Sequence, residues 1–133
     1  MIAESHNVAH QMKQGLILFA HGARDPRWAE PFERLQQRVR ALAPEAEVRL
    51  CYLELMQPDL DGAIAELVAL GVDSIRVIPV FLGQGGHVRR DLPGLIAAAQ
   101  GRFAGTPISC AAPAGEDDRV LDALARYCVA ETR

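Results

Sequence analysis

The chain has 133 residues and a formal net charge of −3; half of its residues are hydrophobic and 23% are charged. That length suits one domain with one core, which buries about two-thirds of the unfolded surface. The ordinary globular composition, with no apolar run near the roughly 20 residues of a membrane span, argues against a disordered or membrane protein. The negative balance without a basic, aromatic-interleaved stripe argues against nucleic-acid binding.

Met1 to Gln11 lack the apolar stretch of a signal peptide and show no clear period. Residues 1–14 are therefore expected to form a disordered N-terminal extension, with the folded domain over 15–133. Met12, directly before the first strand-like run, is an alternative start. His6 and His10 fall in the extension and are read as having no metal role.

From Gly15 onward short apolar runs alternate with longer amphipathic ones, the pattern of a parallel sheet covered by helices on both faces. The first strand is expected over Leu16 to Ala20. Trp28, Phe32, Leu35, Val39 and Leu42 then recur at spacings of four and three, which puts all five on one helical face that must pack on the sheet. A strand over Val48 to Leu53 follows, then a helix after Pro58 that buries Leu60, Ile64, Leu67 and Leu70 and stops at Gly71. The third strand is expected over Ser74 to Val80. Its helix carries Leu92, Leu95, Ile96 and Ala99 and ends before Gly101. A fourth strand spans Pro107 to Ala111, and a last helix runs from about Asp117 to Ala130 with Val120, Leu121, Leu124 and Cys128 facing inward. Right-handed crossovers make this an α/β fold, a single flavodoxin-like or chelatase-like lobe with a four-stranded parallel sheet in the order 2-1-3-4. Cys51, Cys110 and Cys128 are odd in number and lie in apolar segments, so they read as reduced core residues of a cytoplasmic protein.

Ligands of an open parallel sheet bind beyond the carboxyl ends of its strands. His21 follows the first strand, Glu54 follows the second, and His87 falls in the glycine-rich loop after the third, with 33 residues separating each from the next. One strand-helix unit returns each to the same edge, where the three are expected to converge on one ion. Two imidazoles and a carboxylate suit cobalt, nickel, zinc or ferrous iron, and leave open positions for chemistry. The segments His21-Gly22-Ala23-Arg24-Asp25 and His87-Val88-Arg89-Arg90-Asp91 share the pattern His-x-x-Arg-Asp, each reaching a proline, Pro26 or Pro93, at an expected helix entrance. Asp25 and Asp91 then either cap helix amides or orient a histidine. Gly83, Gly85 and Gly86 either take positive φ and let backbone approach a ligand or make a simple turn. Arg24, Arg27, Arg89 and Arg90 surround the histidines; guanidinium groups grip carboxylates in pairs, so a polyanionic substrate fits, with at least two of the four read as ordinary surface charges.

The stretches Leu18-Phe19-Ala20-His21-Gly22-Ala23-Arg24-Asp25-Pro26 and Pro79-Val80-Phe81-Leu82-Gly83-Gln84-Gly85-Gly86-His87-Val88 resemble the two signature segments of the CbiX-type sirohydrochlorin chelatases. The likeness runs from about Gly15 to Ala130 and includes Tyr52-Leu53-Glu54. It implies that His21 and His87 are the catalytic, metal-contacting histidines and that Glu54 completes the metal site. Arg24, Arg89, Arg90, Gly85 and Gly86, read above from their own chemistry, are the residues expected to bind such a tetrapyrrole substrate. The reaction implied is insertion of Co²⁺, or Ni²⁺ or Fe²⁺, into sirohydrochlorin, with no cofactor beyond the substrate metal; the competing reading is a metal-delivery or tetrapyrrole-carrying protein using the same site. Ala23 stands where the family often has serine, and the chain is half the length of two-lobed members, so a homodimer with the cleft between subunits is implied.

Overall fold

Strands rich in apolar residues must hide them, and here four strands pair side by side with helices laid against both faces of the sheet. In the computed structural model residues 12–83 and 85–132 are described; residues 1–11 of the expected extension 1–14, with His6 and His10, lie outside them. Strands β1 (Gln14–Ala20), β2 (Glu47–Tyr52), β3 (Ser74–Pro79) and β4 (Ile108–Cys110) are all parallel, in the order β2-β1-β3-β4. This is the order expected from the site's needs. Phe19 lies beside Cys51 on one side and Pro79 on the other, so the carboxyl ends of β1, β2 and β3 come level.

The helices are α1 (Glu30–Leu42), entered through a 3-10 turn at Pro26–Ala29, α2 (Leu60–Ala69), α3 (Gly86–Arg102) and α4 (Asp118–Ala130), entered through a 3-10 turn at Ala114–Glu116. Helices α2 and α3 close one face around Ile17, Phe19, Ile64, Leu67, Val77 and Ile96. Helix α1 closes the other, with Trp28, Phe32, Leu35 and Val39 packed on Leu18, Val48, Leu50 and Tyr52. Each large aliphatic side chain so buried contributes about 1.5–3 kcal/mol. The helix ends follow local chemistry. Asp59 caps α2 by accepting from the Gly62 N–H at 2.8 Å, and Gly71, at φ 78°, supplies the stop. Asp117 caps α4 and is gripped by the Arg119 guanidinium, which holds its carboxyl down at about 2.

Some expected core positions are not core. Leu42, the last residue of α1, is 86% exposed, and Leu70 and Leu95 are also exposed. The larger departure is α4, none of whose residues is buried. Its expected inward positions are not covered: Val120 and Ala123 border an open pocket beside Arg76 and Ile78 of β3, and Leu121 and Leu124 are exposed. Cys51 is buried as expected, whereas Cys110 is half-buried and Cys128 is exposed. At the other end the fold begins earlier than residue 15: Gln14 is in β1, and the Lys13 N–H donates to Asp73 at 2.6 Å.

Leu67→Ala, deep under α2, should lower unfolding stability by about 2–5 kcal/mol. Leu42→Ala should change it by less than about 0.5 kcal/mol. Urea unfolding of the two variants beside the parent checks both.

Candidate functional site

Beyond the level strand ends the loops are bonded to one another. The Leu53 N–H donates to the Ala20 carbonyl at 2.9 Å and the Glu54 N–H to the His21 carbonyl at 3.1 Å, so the chain after β2 is tied to the chain after β1. Their side chains meet as a result: His21 Nε2 lies 3.1 Å from Glu54 Oε1, with both groups about half exposed. Two backbone features hold this pair. Gly22 has φ 100°, and a Cβ placed on it would fall 1.9 Å from the Glu54 carbonyl oxygen, so only glycine lets the two loops approach. Leu55, next to Glu54, is held at φ 68°, a left-handed conformation that costs a non-glycine residue about 1–3 kcal/mol.

The third loop is fastened on both sides. The Val80 N–H donates to the Phe19 carbonyl at 2.9 Å, and the Gly115 N–H donates to the Phe81 carbonyl at 2.8 Å. The Phe81 ring stands edge-on to the His21 imidazole, with centroids 6.2 Å apart. His87 sits in the first turn of α3 and not in the preceding loop, because Gly85 takes an extended conformation, caps the helix and accepts from the Arg89 N–H. Three expectations change with it. Pro93 lies inside α3 and not at its entrance. Asp91 is one helical turn from His87 and pairs with it, Oδ2 to Nδ1 at 3.2 Å, so it orients the imidazole and caps nothing. Gly83, Gly85 and Gly86 have ordinary φ; the glycines with positive φ among the described residues are Gly22 and Gly71.

Glu54 and His87 line one cavity of about 490 Å³ together with Leu53, Val88, Arg90, Asp91, Gly94 and Leu95. Of the expected arginines Arg90 borders this cavity, Arg24 and Arg89 are exposed outside its lining, and Arg27 is held at 2.7 Å by Asp25, which caps the 3-10 turn as its structural reading required. The expected three-ligand cluster is not assembled here. Among the described residues no group of three or more His, Cys, Asp or Glu side chains stands placed to hold a metal ion. The donors form two imidazole-carboxylate pairs, His21 with Glu54 and His87 with Asp91, each held by its nearest partner. The expectations for His21, Glu54 and His87 missed Leu53, Gly94 and Leu95 as cavity walls. Spacing alone could have found Leu95, since His87, Asp91 and Leu95 share a helical stripe once His87 is put on the helix. A nucleophilic thiol is not part of the site: burial, with the Asp59 carboxylate, pushes the Cys51 thiol far above its usual range. Imidazole nitrogens and carboxylate oxygens at one open edge suit a borderline transition metal better than calcium or magnesium.

The family model described as CbiX matches residues 15–130. A sirohydrochlorin cobaltochelatase of Sulfolobus acidocaldarius is 30% identical over 110 residues, covering 83% of this chain and 85% of the relative. Among solved structures, a CbiX protein of cobalamin (vitamin B12) biosynthesis from Marinobacter aquaeolei is 34% identical, with a TM-score of 0.77 over 90% of this chain and 96% of its own. The sirohydrochlorin chelatase SirB of Bacillus subtilis, in complex with cobalt, is 27% identical, with a TM-score of 0.74. This chain covers 86% of itself in that match but spans about half of SirB, 49%. A single lobe that carries both histidine segments and matches the family model from the start of β1 to the end of α4 belongs to the CbiX family.

Proposed function

We propose that this chain inserts a divalent metal, cobalt foremost and also nickel or ferrous iron, into sirohydrochlorin or a related tetrapyrrole, as in cobalamin or siroheme biosynthesis. The observation that carries the reading is the presence of two separate imidazole-carboxylate pairs beyond the strand ends, with Glu54 and His87 lining a shared cavity. Relatives that bear the name sirohydrochlorin cobaltochelatase support it.

Insertion replaces two pyrrole N–H protons by a dication, so the site needs donors that hold the metal loosely and a base that takes protons as the ring nitrogens bind. Neutral imidazole does either near pH 7. His21, Glu54 and His87 form the metal-holding set in this proposal, and the two histidines share the holding and proton-accepting roles. Asp91 keeps the His87 ring in one orientation. Arg90, Arg24 and Arg89 meet the substrate's carboxylates, and Gly85 and Gly86 leave room for the macrocycle beside the first turn of α3. The free cysteines fit a reducing cytoplasm.

The working unit in this proposal is a homodimer with the cleft between subunits. The chain spans half of the cobalt-bound relative, and α4 exposes an apolar stripe, with Leu121 at 44%, Leu124 at 38% and Tyr127 at 64%. A second copy covers that stripe and supplies the missing lobe.

Mixing the protein with sirohydrochlorin and Co²⁺ should accelerate insertion over the uncatalysed rate, followed by absorbance; tight stoichiometric binding without acceleration would make it a carrier or metal-delivery protein. His21→Ala and His87→Ala should each lower the rate about 10²-fold or more, and the double variant should cost little beyond the worse single one, because groups acting as a unit are non-additive. Melting temperatures should stay close to the parent's, since both residues are exposed at a sheet edge. For the dimer, light scattering at micromolar concentration should give twice the chain mass and Leu124→Glu a single chain; a parent monomer that keeps activity on dilution contradicts it.

A further inference from the structure

The loop that follows β4 carries two carboxylates, Glu116 and Asp117, yet the residue in it that bears on the histidines is a glycine. We propose that Gly115 is a positioning residue for the site, acting through the backbone of Phe81 and Leu82; this rests on the functional reading of His21 and His87 given above. The Gly115 N–H donates to the Phe81 carbonyl at 2.8 Å. A Cβ placed on Gly115 would fall 1.6 Å from the Leu82 carbonyl oxygen and 2.5 Å from its carbon. The obstacle is backbone, which cannot turn aside as the tip of a side chain does. Gly115 does not take a positive φ, so its own conformation is open to any residue and the close approach alone demands glycine.

What this contact holds is the backbone that follows β3 at Phe81 and Leu82. Gly83, Gly85 and Gly86 have nothing within 4 Å of where a Cβ would be, so these three glycines have little packing of their own. Two anchors flank them: the Gly115 contact at Phe81 and Leu82 before them, and Val88, buried on α3, after them. His87 adjoins the second anchor. The first anchor also carries the Phe81 ring that meets His21 edge-on. Movement of Phe81 and Leu82 therefore changes the surroundings of one histidine and the approach to the other. A misplacement of about 1 Å is enough to cost a catalytic step on the order of 10²-fold.

The test compares Gly115→Ala with Gly101→Ala, a helical glycine of α3 with open space around it, in the Co²⁺ and sirohydrochlorin assay. Gly115→Ala should lower kcat roughly 10²-fold when assayed well below its melting temperature, which falls because backbone must shift, and should add at most about twofold when combined with His87→Ala. Gly101→Ala should keep the parent rate. Full activity in Gly115→Ala, or an undiminished loss when it is added to His87→Ala, overturns the proposal while leaving the histidine reading intact. A parent-like rate in His87→Ala would instead remove that reading and this inference together. If Gly115→Ala does not fold, amide exchange on the unaltered protein decides: a Gly115 amide protected like that of Val80 supports the anchor, and exchange at the free-peptide rate overturns it.

Discussion

Parallel strands end together, and in this chain the peptide groups just past those ends keep bonding sideways. Leu53 reaches Ala20, Glu54 reaches His21, Val80 reaches Phe19, Ala111 reaches Val77 and Gly115 reaches Phe81. Each such bond is worth only about 1 kcal/mol net. Together they extend the ladder of the sheet into the loops, so that residues far apart in sequence are placed by backbone rather than by side-chain packing. The site depends on this. His21 and Glu54 meet at 3.1 Å because their own peptide groups are bonded, and Gly22 is the residue whose missing side chain permits it. In the function proposed above, half-exposed donors on such a backbone suit a group that takes a metal ion and then gives it up.

Much of this was legible in the residues. The unbroken apolar character of Leu16 to Ala20 requires a strand buried on both sides, and the sheet order follows from the demand that three strand ends share one site. Both expectations hold. Ser74 to Val80, interrupted by Arg76, buries alternate residues only. His21 and Glu54 were placed rightly just past their strands because a strand end is a local event. His87 was not, because a glycine-rich stretch reads as loop whether or not its last glycine caps a helix, and that choice moved Pro93 into the helix and made Asp91 a partner of the imidazole. Gly115 was invisible for a further reason. Its requirement is a contact with Leu82, and no local pattern reports a contact between loops.

Helix α4 shows the same limit from the other direction. Its periodicity states correctly that Val120, Leu121, Leu124 and Cys128 share an apolar face, yet a period cannot say what covers that face. Here no residue of the helix is buried, and the face stays open. An amphipathic helix with its apolar stripe in water is costly in an isolated chain and favourable where a second surface waits for it. In a lobe that spans half of its cobalt-bound relative, that surface and the cleft belong to the same assembly in the reading proposed above.

The two imidazole-carboxylate pairs become one metal site only if both histidines turn to the same ion. X-ray absorption at the cobalt edge, on the Co²⁺-loaded protein and on its His87→Ala variant, measures this directly. Two imidazole nitrogens per cobalt in the parent and one in the variant are expected. An equal count of imidazole nitrogens in the two samples would contradict a shared site.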